Sequence, residues 1–227
     1  MMAKRKPPAP KGRPRLIGLC AWAPGSGKST VARMLGWELG HCTRVSFADP
    51  VRAVTAAFLE AAGYEPDAIP GMLNDPAVKE LPLALPGQPT PRYLMRTLGT
   101  EWGRMLVSKE IWLHLAEVKI RQALDDDDKA VVVIDDVRFP DEYKMIHRLG
   151  GHIIAISRMQ ADEILRIRQE EVGVHASDAP PDLENVDWVI TNDLELDDLR
   201  KQVKQLVEFG YNSNPGSRAQ PLFEIPF

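Results

Sequence analysis

The run Leu16-Ile17-Gly18-Leu19-Cys20-Ala21 is apolar and ends in a glycine-rich turn, Trp22-Ala23-Pro24-Gly25-Ser26-Gly27-Lys28-Ser29-Thr30. A helical pattern follows from Val31 to Leu39. Strand, glycine turn, helix is the order a phosphate-binding P-loop needs. Gly25 and Gly27 carry no Cβ, so the backbone there can curl around a phosphate. Its N–H groups then aim inward at the positive end of a helix dipole. In such a loop Lys28 reaches the β- and γ-phosphates and Ser29 offers a hydroxyl to Mg²⁺. Gly25, Ser26, Gly27 and Thr30 complete the nucleotide-binding set. Trp22 stands where the usual pattern begins with glycine.

With 227 residues, the length fits one domain, expected over 16–210. A net charge of -4 gives no reason to expect tight duplex DNA binding. The two cysteines, Cys20 and Cys42, have no metal-ligand spacing and suit a reduced cytoplasmic setting. No apolar run is long enough to span a membrane. Residues 1–15 are basic and proline-rich without an apolar signal core, and read as a disordered arm. Residues 211–227 read as a tail.

Thr43 to Ala48 reads as a short strand. Asp49 and Pro50 then open a helix to about Ala62, with Val51, Val54, Ala57, Phe58 and Ala61 expected inward. Asp49 lies past the carboxyl end of a strand, where ligands bind in open α/β sheets. It is either a carboxylate facing an acceptor or Mg²⁺, or a plain helix cap. Residues 63–91 are rich in Pro and Gly and read as an irregular acceptor-side loop. Thr90-Pro91 opens another helix, on which Arg92 and Arg96 share a face suited to an anion. A helix from Ile111 to Leu124 buries Trp112.

The clearest buried strand is Ala130 to Asp136, followed by Arg138. Apolar residues ending in Asp resemble a Walker B element, so Asp136 is expected at Mg²⁺ or its waters. Tyr143 to Leu149 reads as a helix and His152 to Ser157 as a strand. A charged helix from Gln160 to Glu171 holds Arg166 and Arg168, within a lid region at 158–178. Val186 to Thr191 is the last strand, and its helix turns Leu196, Leu199, Val203 and Leu206 inward. This alternation predicts a three-layer α/β fold, a parallel sheet of about five strands with helices on both faces.

Several stretches together resemble the phage-type deoxynucleoside monophosphate kinases. They are Gly25 to Thr30, Phe47-Ala48-Asp49-Pro50, Arg92 to Glu101, Asp136-Val137-Arg138-Phe139-Pro140-Asp141-Glu142, Leu149 to Ile154, His175-Ala176-Ser177-Asp178 and Ile190 to Asp193. The resemblance implies a P-loop kinase fold with a lid, and transfer of the γ-phosphoryl of ATP to a deoxynucleoside monophosphate. It places Lys28, Arg138, Asp136 and Asp49 at the chemistry, with ATP and Mg²⁺ as cofactors. Arg92, Arg96 and Arg138 would hold the acceptor phosphate. Gly99, Thr100 and Trp102 would lie near its sugar or base. Glu142, Arg158 and His175 join the acceptor-binding set, and Asn192 would lie near the adenine of ATP. Pro24 replaces a lysine that some members carry in the loop, so Arg138 or a lid arginine must supply that charge. The expected partner is a small nucleotide; a homodimer is allowed, and neither membrane nor DNA is expected.

An acceptor that is already a phosphate needs no strong base, so catalysis reduces to positioning and charge neutralisation. A kinase acting on a hydroxyl of a modified base, free or in DNA, would instead need Asp49 as general base. A module that binds ATP without turning it over would need neither, and the intact Lys28, Ser29, Asp136 and Arg138 argue against it.

Overall fold

The computed structural model describes residues 15–40, 42–172 and 181–210, without the side chains of 168–172 and 209–210. His175, most of the N-terminal arm and the C-terminal tail lie outside the described residues. The chain divides into two compact units, one made of residues up to Val45 and from Gln122 onward, the other of Ser46–Arg121.

The first unit is built on a parallel five-stranded sheet in the order β2-β3-β1-β4-β5. The strands are β1 Leu16–Ala21, β2 Cys42–Val45, β3 Val131–Ile134, β4 His152–Ser157 and β5 Trp188–Thr191. All four residues of β3 are buried, as expected of a strand covered on both faces. On one face Ile17, Leu19, Val133, Ile154 and Ile156 form a core with Val31 and Leu35 of α1 (Lys28–Leu39) and Leu199 and Val203 of α8 (Leu196–Gln205). The opposite face takes α6 (Pro140–Arg148). There a Cβ on Gly18 would stand 2.7 Å from Ile146 Cδ1 and 3.0 Å from Val137 Cγ2, so the Ile146 side chain would have to shift to admit one.

β1 is central, with β3 and β4 on its two sides. The chain order therefore reverses there, and the loops after β1, β3, β4 and β5 leave the same carboxyl edge. At the opposite edge Arg15, counted with the arm, is anchored instead: Nε donates to Ala130 O at 3.0 Å, and Nη2 donates to Leu124 O at 2.6 Å and to Asp127 O. Asp127 lies within the acidic stretch 125–129 and Leu124 and Ala130 flank it, so Arg15 closes that stretch.

The second unit carries α2 (Asp49–Ala61), α3 (Ile69–Asn74), a 3₁₀ turn at Val78–Glu80, α4 (Pro91–Thr97) and a π-helical stretch at Leu98–Val107. α5 (Ile111–Asp126) begins in it. Two expectations fail here. The buried face of α2 is Val51, Thr55 and Leu59, whereas Val54 and Phe58 are exposed. Thr55 can go inside because its hydroxyl donates to Val51 O at 2.8 Å. The stretch 63–91 is not irregular either. Ile69, Leu73 and Leu83 close a small core with Leu59, and Tyr64, Leu85, Leu94 and Met95 pack against it. The start of α4 is as expected, with Thr90 Oγ1 accepting from Tyr93 N at 3.1 Å.

Candidate active site

Gly25 and Gly27 take the left-handed backbone the loop demands, with φ of 85° and 102°. Gln88 is the one non-glycine described residue with positive φ, so Trp22 fills the usual glycine position without strain. Gly27 leads directly into α1, whose first residue is Lys28. Ser26 is fully buried, and its Oγ donates to Ala23 O at 2.7 Å. Two side chains from other loops bind the turn. Arg158 Nη1 donates to Gly25 O at 3.3 Å, and Asn192 Nδ2 donates to Ser26 O at 3.0 Å.

Beside the loop is a cleft lined by Trp22, Pro24, Lys28, Arg138 and Tyr143, with Leu165 of α7 (Met159–Val172). Burial holds the Lys28 ammonium below the ordinary lysine range, and the charge of Arg138 pushes it the same way. Cys20, Asp135 and Asp136 pull it back. Lys28 and Arg138 thus share one cleft, and the carboxylates after β3 are near enough to act on Lys28. Burial pushes the Cys20 thiol up to about 11, which leaves it an inert wall.

Glu142 is buried. It is 4% exposed, and Oε2 accepts from Arg138 N at 2.6 Å and Phe139 N at 3.0 Å. Its carboxyl shapes the turn that carries Arg138. Burial raises its pKa from 4.5 to about 8, although the two N–H donors pull the other way. Between those values the folded protein holds a proton the unfolded chain has lost. That stabilisation is complete below 4.5 and disappears as pH rises through 8. Glu142→Gln, which keeps an acceptor and cannot titrate, is expected to flatten the fall of the thermal midpoint between pH 5 and pH 8, as scanning calorimetry would read it. An unchanged slope would place the titration elsewhere.

Asp49 is the first residue of α2 and does not cap it; Oδ2 accepts from Ser46 N at 3.0 Å and Oδ1 from Arg52 Nη1 at 3.1 Å. Arg92 and Arg96 are exposed on α4, and Arg92 is paired with Glu80. Gly99, Thr100 and Trp102 lie on the π-helical stretch. Arg166 is exposed and paired with Glu163 at 2.7 Å. The site also holds an ion pair that composition and spacing did not single out: buried Asp135 bridges Arg44 on the neighbouring strand. The Glu142 contact had a local signal, a carboxylate three residues after a helix start.

Among the described residues no three His, Cys, Asp or Glu side chains cluster as a metal cage. Ser29 and Asp136 supply hard oxygen donors, as suits Mg²⁺, which keeps most of its shell as water and phosphate oxygen. No described helix is long and apolar enough to cross a membrane.

The family model for deoxynucleotide monophosphate kinase matches residues 78–203, more than half of the chain. A protein of Acanthamoeba polyphaga mimivirus, provisionally named a deoxynucleotide monophosphate kinase, is 29% identical over 207 residues, covering 85% of this chain and 96% of its own. The deoxynucleoside-5'-monophosphate kinase of Escherichia phage T5 is 44% identical over 57 residues, 25% of this chain and 21% of that one. Among solved structures, a dephospho-CoA kinase from Campylobacter jejuni aligns over 87% of this chain and 97% of its own with a TM-score of 0.40 at 19% identity. The family match over more than half of the chain shows that this chain belongs to the deoxynucleotide monophosphate kinase family and is an ATP-dependent nucleotide kinase.

Proposed function

We propose that this kinase works by positioning and charge neutralisation around Lys28 and Arg138, with no general base. The observation that carries this reading is the cleft they share beside the phosphate loop. Two like charges held together, one of them against the cost of burial, fit a site that expects an anion. Arg138 thereby supplies the charge that Pro24 cannot. Ser29 and Asp136 would hold Mg²⁺, which would neutralise charge on the phosphates.

On the acceptor side, Arg92 and Arg96 bind the monophosphate, with Gly99, Thr100 and Trp102 toward its sugar or base. The support is one exposed helix face carrying both guanidinium groups, joined directly to the stretch that bears the others. Asp49, oriented by Ser46 and Arg52, is the acceptor-side carboxylate. Arg158 acts at the loop it already touches, and His175 belongs to the lid region 158–178. A host cytoplasm suits two free cysteines.

The test is ATP consumption with Mg²⁺ against all deoxy- and ribonucleoside monophosphates, with products separated by mass. ADP and a deoxynucleoside diphosphate in equal amounts are expected. ATP bound but unconsumed across the panel would overturn the reading. Arg138→Ala is expected to lower kcat by about 10²–10³-fold. Unchanged kcat and KM in that variant would remove Arg138 from the site.

A further inference from the structure

A phosphate loop works only when its N–H groups face the phosphates, so its carbonyls must face away and find donors elsewhere. Around this loop the donors can be named. Ala23 O accepts from Ser26 Oγ at 2.7 Å. Gly27 O accepts from Thr30 N and Val31 N of α1, both at 3.0 Å. The other two donors come from outside. Arg158 binds Gly25 O at 3.3 Å, and Asn192 Nδ2 binds Ser26 O at 3.0 Å. Arg158 and Asn192 are the first residues past β4 and β5, and Asn192 N donates to Ser157 O at 2.8 Å. The two strand ends are thus tied together where they grip the loop.

Ser26 O and Gly27 N–H belong to one trans peptide and point in opposite directions. Whatever holds that carbonyl outward therefore aims Gly27 N–H inward. The same amide explains why residue 27 is glycine, beyond its positive φ: a Cβ there would collide with Asn192 Nδ2. Because the partner is a carbonyl, the amide must present its donor end to the loop.

We propose that Asn192 is a positioning residue of the phosphate site, whose side-chain amide locks the Ser26–Gly27 peptide so that Gly27 N–H faces the nucleotide phosphates. This rests on the ATP-binding reading of the loop and replaces a direct contact between Asn192 and adenine. Asn192→Asp keeps the shape, removes the donor and sets a charge against the carbonyl. Titration calorimetry with Mg²⁺ would compare ATP with inorganic tripolyphosphate, which has no adenine. The variant is expected to weaken both by a similar factor, roughly tenfold or more, with the thermal midpoint of the free protein held within a few degrees. Weakening of ATP alone would assign Asn192 to the adenine and overturn the proposal. Unchanged binding of both would overturn it as well. If Asn192→Asp does not fold, Asn192→Ser removes the reach of the donor without adding charge and is read the same way. The comparison needs no acceptor, so wild-type protein that binds both ligands without turnover would sink the kinase mechanism and still decide the role of Asn192.

Discussion

Lys28→Ala is expected to lower kcat by about 10³-fold or more while leaving the nucleotide-free protein as stable as the parent, or slightly more so. The two halves of this expectation have opposite signs for one reason. Lys28 is the first residue of α1 and lines the cleft. Burial already disfavours its charge, and Arg138 repels it. In the free protein that ammonium is an unfavourable element, and alanine removes it. In the reaction the same ammonium sits in a medium where a charge acts strongly on phosphoryl oxygens. Cations gathered to receive a polyanion cost stability in the nucleotide-free protein. Steady-state kcat and a thermal midpoint taken without nucleotide would check the two halves separately. A near-normal rate would remove Lys28 from the chemistry. A midpoint lower by many degrees would make it a structural residue.

What the sequence discloses about the fold depends on how local the cause is. β1, β3 and β4 are legible because continuous Val, Ile and Leu runs have one comfortable place, the middle of a covered parallel sheet. The face of α2 is not legible, because Val51, Val54, Thr55, Phe58 and Leu59 offer apolar or nearly apolar residues on more than one side of the helix. The choice falls to Thr55, whose hydroxyl finds Val51 O, and to Leu59, which meets Ile69, Leu73 and Leu83. Those partners lie across a proline-rich stretch whose order comes from contacts and not from periodicity. The strand after α1 stops at Val45, short of the expected Ala48, because Ser46 N turns to Asp49.

The site divides the same way. The glycines of the loop are dictated by backbone conformation, and their φ values of 85° and 102° repay that reading. Trp22 has no positive φ, so its position makes no conformational demand for the usual glycine. The contact Glu142 makes with the Phe139 N–H lay within reach of sequence reasoning, as that of a helix-start carboxylate. Asn192 and Ser26 lie 166 residues apart, and no local pattern announces that their side chain and carbonyl will meet. Arg44 and Asp135 meet only because β2 pairs with β3.

The second large effect is expected at Gly103. A Cβ at this position would stand 2.5 Å from Trp112 Cε2 and 2.6 Å from Nε1. The ring is not free to retreat. It is 6% exposed, and Nε1 donates to Gly99 O at 2.7 Å. Its other neighbour is the Trp102 ring, with centroids 6.3 Å apart. Gly103→Ala must therefore push the indole off that carbonyl or unwind the π-helical stretch that brings Gly99 and Gly103 to the same ring. Overpacking together with a lost buried hydrogen bond costs about 2–4 kcal/mol. In a chain of this length that lowers the thermal midpoint by about 5–15 °C. Because Gly99, Thr100 and Trp102 share the stretch, KM for the deoxynucleoside monophosphate is expected to rise while KM for ATP holds. Trp112→Leu separates the causes. It removes the ring at a cost of its own, and in that background Gly103→Ala should lose most of its effect. An equal cost in both backgrounds would mean that the glycine serves the backbone of the π turn and not the fit of the indole.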